Sequence, residues 1–115
     1  MNLLPNFKNA FIGIEKLTEY CLNENHPYGK EKAFVFKAVL GIEIKDAFLL
    51  KEAIIKGLSQ NYSTKRDEDE YGKRYTVIMK IRIFDKEATV VTGWIIKNEE
   101  DFPRLTSCYI QKRTK

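Results

Sequence analysis

Arg74-Tyr75-Thr76-Val77-Ile78-Met79-Lys80-Ile81-Arg82-Ile83-Phe84 alternates almost without fault. Tyr75, Val77, Met79, Ile81 and Ile83 fall on one side. Arg74, Thr76, Lys80 and Arg82 fall on the other, with Ile78 and Phe84 as exceptions. A period of two marks a strand with one buried face. The next stretch, Thr89 to Lys97, is almost wholly apolar and predicts a central strand covered on both faces. Val90, Trp94 and Ile96 share one of its faces, and Val91, Gly93 and Ile95 share the other.

Working outward, Arg104 to Gln111 reads as the last strand and Tyr62 to Lys65 as a short first one. Asp67 to Gly72 reads as a solvated connection, Asp85-Lys86-Glu87 as a tight turn, Asn98 to Pro103 as an acidic loop, and Lys112 to Lys115 as a basic tail. Upstream, the apolar spacing becomes helical. Ile14, Leu17, Tyr20 and Cys21 form one stripe, ended by the breakers of Asn23 to Gly29. A second helix runs from Lys30 to Leu40 on Ala33, Phe36, Val39 and Leu40, with Gly41 as its cap. A third starts near Asp46 on Ala47, Leu50, Ile54 and Leu58, widened by Leu49 and Ile55. Pro5 to Phe11 is an extended lead-in with Asn6 and Asn9 as turn formers. The predicted fold is α+β: about three N-terminal helices packed on one face of a four-stranded antiparallel β-meander, in a single domain over residues 1–115.

The chain has 115 residues, 43% hydrophobic and 31% charged, which excludes a disordered chain. It is too short for a TIM barrel, which needs roughly 200 residues or more. Twenty Lys and Arg against 16 Asp and Glu give a net charge of +4, compatible with an anionic partner. Cys21 and Cys108 have no CxxC neighbour and read as reduced structural thiols. No apolar run reaches the ~18 residues of a membrane span, and the N-terminus lacks a signal-peptide pattern. The expectation is a soluble, cytoplasmic protein with no membrane partner.

Two constellations could carry chemistry. Asn25-His26-Pro27-Tyr28-Gly29-Lys30-Glu31-Lys32 holds the sole histidine and two lysines at a helix start, where free N–H groups attract anions. His26 could serve as general acid or base. The plainer alternative is a helix-linking turn with solvated lysines. The second constellation is Thr92, Gly93 and Trp94 with Arg104 and Thr106. Hydroxyl and guanidinium donors suit a phosphate, and Trp94 suits a stacked base. Its plainer alternative is a core tryptophan and an exposed arginine. No glycine-rich phosphate loop, metal-ligand cluster or Ser-His-Asp order can be written, so neither cofactor nor metal is expected.

Leu4-Pro5-Asn6, Lys16-Leu17-Thr18, Asn25-His26-Pro27 with Gly29-Lys30, Tyr71-Gly72, Gly93-Trp94-Ile95-Ile96 and Pro103-Arg104-Leu105-Thr106-Ser107-Cys108-Tyr109 together form a pattern over nearly the whole chain. It resembles a bacterial family of small domains of unknown function, found as short stand-alone proteins and at the C termini of secreted or phage-associated toxins. The layout is similar to the barnase–EndoU–colicin class of metal-free ribonuclease toxins. The resemblance implies His26, Lys30, Lys32, Arg104 and Thr106 as catalytic candidates around an RNA phosphodiester, with Thr92 and Trp94 contacting substrate. The resemblance implies Arg at the position of Phe34, and Arg or another polar group at that of Val91. On that resemblance, both departures remove charge that could bind a phosphate. Two readings stand: a metal-independent endoribonuclease toxin domain, or a non-catalytic interaction or accessory module with an immunity-type or self partner.

Overall fold

The computed structural model describes residues 2–111 of the chain. The predicted basic tail at Lys112 to Lys115 lies outside the described residues. The elements are α1 (Ile14–Lys16) continuing into a π-helical turn (Leu17–Cys21), α2 (Lys30–Leu40), α3 (Ala47–Leu58), and strands β1 (Ser63–Asp69), β2 (Gly72–Ile83), β3 (Lys86–Lys97) and β4 (Arg104–Ile110). The fold is therefore α+β with an open antiparallel sheet, ordered β1-β2-β3-β4.

The alternation of β2 does what a period of two requires. Val77, Met79, Ile81 and Ile83 enter one core with Ala88, Val90 and Trp94 of β3 and Leu105, Cys108 and Ile110 of β4. The same core takes Phe36 and Leu40 of α2 and Leu50, Ile54 and Leu58 of α3. The helix and sheet approach closely at Gly57, where a β carbon would lie 2.5 Å from Met79 Sδ. The opposite-parity residues Thr76, Ile78, Val91, Gly93, Ser107 and Tyr109 stay half-buried or exposed. The central strand β3 is thus buried from Ala88 to Trp94 on its core side only, and Ile96, expected on that face, is half-buried. Ile95 is the exception on the other side and is buried.

Some boundaries differ from the sequence reading. Asp67, Glu68 and Asp69 are not a loop: Glu68 pairs with Lys73 and Asp69 with Gly72. β1 is exposed along nearly its whole length, and charged residues are the usual content of such an edge. The predicted turn at Asp85-Lys86-Glu87 falls one residue earlier. Ile83 pairs with Lys86, so Phe84 and Asp85 form a two-residue loop with φ of 53° and 64°. That left-handed pair matches the twist of a tight hairpin, although neither residue is the usual choice.

In the helices, Val39 is expected in the buried stripe of α2 but is 40% exposed. Leu49 and Ile55 of α3 likewise face out. A single core needs only the narrower stripe of Leu50, Ile54, Gly57 and Leu58. Gly41 does cap α2 in the left-handed conformation, at φ 70°, donating its N–H to Lys37 O. The lead-in is not merely extended. It holds a short 3-10 turn at Phe7–Asn9 and runs from a bridge between Asn2 and Ser63 to a bridge between Phe11 and Arg104, joining the two outer strands.

Candidate functional site

The loop before α2 is built around His26. Its Nδ1 accepts the backbone N–H groups of Tyr28 and Gly29, at 3.0 and 2.9 Å. Its backbone N–H donates to Asn23 O, and its carbonyl accepts from Lys30 N–H. Proline and glycine around it allow this tight wrap. A β carbon on Gly29 would sit 2.4 Å from Tyr20 O, so only glycine lets α2 start against the π-helical turn. The His26 ring meets Tyr20 edge-on, with centroids 4.7 Å apart.

Lys32 lies within the first turn of α2. Its ammonium sits 5.0 Å from the Tyr20 ring centroid and 5.3 Å from that of Tyr109. Its Nζ also makes a long hydrogen bond of 3.4 Å to the Tyr20 hydroxyl. Thus His26 and Lys32 are brought together through one tyrosine ring. Lys30 is exposed at the helix start.

Arg104 belongs to a different set. Its Nε and Nη2 donate to both carboxylate oxygens of Glu100 at 2.8 Å. The guanidinium lies 5.0 and 4.9 Å from the ring centroids of Phe11 and Phe102. The Arg104 hydrogen bond holds the Glu100 carboxyl below the ordinary glutamate value, and Glu100 in turn raises the guanidinium.

Thr92 and Trp94 lie on the core face. The Trp94 indole N–H donates to Thr92 Oγ1 at 2.8 Å, and the Thr92 hydroxyl donates to Val77 O at 2.7 Å. Trp94 is 1% exposed and Thr92 fully buried, so both polar groups are satisfied inside the protein.

Between these two residues, Gly93 opens onto the other face. The pairing shifts there: Trp94 faces Leu105 and Gly93 faces Ser107, which leaves Thr106 as the extra residue of a bulge. A β carbon on Gly93 would lie 2.7 Å from Ser107 Oγ and 3.1 Å from Thr106 Oγ1. Both hydroxyls therefore lean over the glycine. The β2 partner of Gly93 is Thr76, whose Oγ1 accepts from Arg66 Nε at 3.2 Å. Arg66, Thr76, Gly93, Thr106 and Ser107 thus form a row across all four strands. Tyr109, two residues past Ser107 on the same face, continues it to Lys32. Among the described residues, neither Arg66 nor Lys32 has a carboxylate within 4.0 Å, whereas Arg74, Arg82 and Arg104 do.

Of the residues singled out in the sequence, Thr106 and Lys32 belong to this row and its end. His26 adjoins it through Tyr20. Arg66, Thr76, Ser107, Tyr20 and Tyr109 stand in or beside this row and are not among the candidate site residues of the sequence reading. Thr76 does fall on the polar side of its strand there, and the same parity applied to β4 finds Ser107 and Tyr109. Arg66 is hidden because the strand signal of β1 stops at Lys65.

Residues 3–112 match the family described as a domain of unknown function, DUF6883, and the chain belongs to that family. No curated protein and no solved structure matches the chain. Among the described residues, no helix is long and apolar enough to cross a membrane, and no group of three or more His, Cys, Asp or Glu could hold a metal ion.

Proposed function

We propose that this protein binds the backbone of single-stranded RNA on the uncovered face of its sheet. The observation that carries the reading is the row centred on Gly93. Three hydroxyls and the Arg66 guanidinium gather on one face where no side chain intervenes. Hydroxyl and guanidinium donors are what phosphate oxygens take. The sheet is about 14 Å across at this row, wider than one phosphate. Tyr109, 37% exposed beside it, offers a ring for a base. An open four-stranded sheet with an aromatic on its face suits splayed, unpaired nucleotides better than a duplex. The net charge of +4 favours the encounter.

A cleavage step would draw on the end of the row. Lys32 would hold a phosphate there and neutralise developing charge. His26 would have only Nε2 for proton transfer, because Nδ1 is occupied by two backbone donors.

A fluorescence-anisotropy titration with a short labelled RNA tests the binding reading. The expected salt slope of log affinity is roughly −1.4, for two single-strand phosphates neutralised by Arg66 and Lys32. Arg66→Ala should weaken binding and flatten that slope by about 0.7. Lys56→Ala, on the far side at exposed α3, should change neither. Equal effects of the two variants would contradict the reading. Cleavage of the same RNA with chelator present, lost in His26→Ala, would add the catalytic step.

A further inference from the structure

The row across the sheet ends at a hollow. Helix α2 packs on β3 and β4, and the space beside Tyr109 forms a cavity of about 400 Å³. That lies within the roughly 300–1,000 Å³ of small-ligand sites. Val35 of α2, Val91 of β3 and Ile110 of β4 supply its apolar surface. Val91 pairs with Tyr109, so their side chains lie side by side on the open face. Ile110 is buried, and Val35 and Val91 are half-buried. The polar groups come from the exposed Glu31 and Gln111, with Lys32 next to Glu31. Among the described residues, the Glu31 carboxylate has no ion-pair partner, whereas those of Glu24, Glu43 and Glu100 do.

We infer that this hollow takes one base of the bound strand, and that the base is guanine, read by the Glu31 carboxylate. The inference rests on the RNA-binding reading and adds a base to it. An unpaired base has two apolar faces and a polar edge. The Tyr109 ring and the aliphatic side chains suit the faces, and the exposed polar groups suit the edge.

Glu31 selects among the bases. A carboxylate at neutral pH only accepts hydrogen bonds. Guanine alone presents two adjacent donors on its Watson–Crick edge, N1–H and N2–H, which the two carboxylate oxygens can take together. Adenine and cytosine set an amino group beside a ring nitrogen lone pair, which a carboxylate repels. Uracil sets its single N–H between two carbonyls. The wrong bases are thus rejected by repulsion as well as by lost hydrogen bonds. Gln111 has an amide that can donate to O6 of the same guanine. Lys32 remains for the phosphate of that nucleotide, so the acid does not meet the strand uncompensated.

Glu31 also lies in the first turn of α2, where an acid suits the helix dipole. That role would show in stability and not in base preference, so the test reads preference. Short labelled oligouridines carrying one central G or one central A are titrated by anisotropy at a single salt concentration. The G oligomer should bind roughly tenfold tighter than the A oligomer. Glu31→Gln keeps the size of the exposed side chain but replaces one acceptor with a donor. It removes a negative charge and so should tighten both oligomers, while the ratio between them falls towards one. A parallel amide-shift titration uses guanosine 5′-monophosphate and adenosine 5′-monophosphate, with shifts expected at Glu31, Val91 and Tyr109 for the guanine nucleotide.

Equal affinity of the wild type for the two oligomers would overturn the guanine assignment and leave the RNA-binding reading standing. A G preference that survives in Glu31→Gln would overturn it as well. If neither oligomer binds but the guanine nucleotide shifts the hollow, the RNA-binding reading falls and the guanine site stands. If neither the oligomers nor the nucleotides bind, both fall.

Discussion

At the scale of single residues, His26 is held by its surroundings more tightly than a lone surface histidine needs to be. Two N–H groups converge on Nδ1, and the ring packs perpendicular to that of Tyr20. His26→Ala removes the acceptor for both donors, so it should lower unfolding free energy by about 1–2 kcal/mol in chemical denaturation. An unchanged midpoint would mean the loop is held by its backbone turns alone. Gly72 is a second fixed point. Its φ of 149° and a β carbon position only 2.2 Å from Ile96 O leave no room for a side chain. Gly72→Ala should cost about 2 kcal/mol or more, and a smaller loss would show that the β1–β2 hairpin relaxes. Glu100 gives a pH signature. Its carboxyl is lowered from the ordinary 4.5 by the Arg104 hydrogen bond, so its contribution to stability is present above that value. The contribution is lost as pH falls through the lowered value. The stability difference between the wild type and Glu100→Gln should therefore be flat from neutral pH to about 5 and shrink below that. A constant difference down to acid unfolding would mean that the ion pair does not contribute.

At the scale of elements, the strands are readable where one face is buried. The alternation from Tyr75 to Ile83 reports the core directly, because a one-residue slip would put every apolar side chain in water. β1 offers no such signal. Its residues are exposed on both sides, so Asp67 to Asp69 look like loop in composition while pairing as strand. The hairpin at Phe84 and Asp85 is hard to place for a related reason. Both residues take left-handed conformations that side chains disfavour, and neither Asn nor Gly marks the spot. The double substitution Phe84→Asn with Asp85→Gly should therefore stabilise the protein, by about 0.5–1 kcal/mol in thermal melts. A loss of stability would show that Phe84 contributes contacts despite its 57% exposure. The helices follow the same logic. Ala33, Phe36 and Leu40 are readable because the core demands them, and Val39 is over-read because apolar residues also occur on surfaces.

At the scale of the whole molecule, the sheet divides the protein into a core side and an open side. The sequence constellation around Thr92, Gly93 and Trp94 straddles that division. Thr92 and Trp94 close a hydrogen-bonded pair inside, while Gly93 lets the Thr106 and Ser107 hydroxyls meet outside. Residue type alone does not separate these roles, but strand parity does. Arg104 shares its strand with Thr106, yet it is taken up by Glu100 and two phenylalanine rings, which sequence spacing does not reveal. The central claim is that the open side meets RNA. The most direct measurement is an amide chemical-shift map of the isotope-labelled protein titrated with a single-stranded RNA oligomer. Shifts should concentrate at Arg66, Thr76, Gly93, Thr106, Ser107 and Tyr109, with α3 silent. Shifts confined to the exposed faces of α2 and α3, or none at any RNA concentration, would contradict the claim.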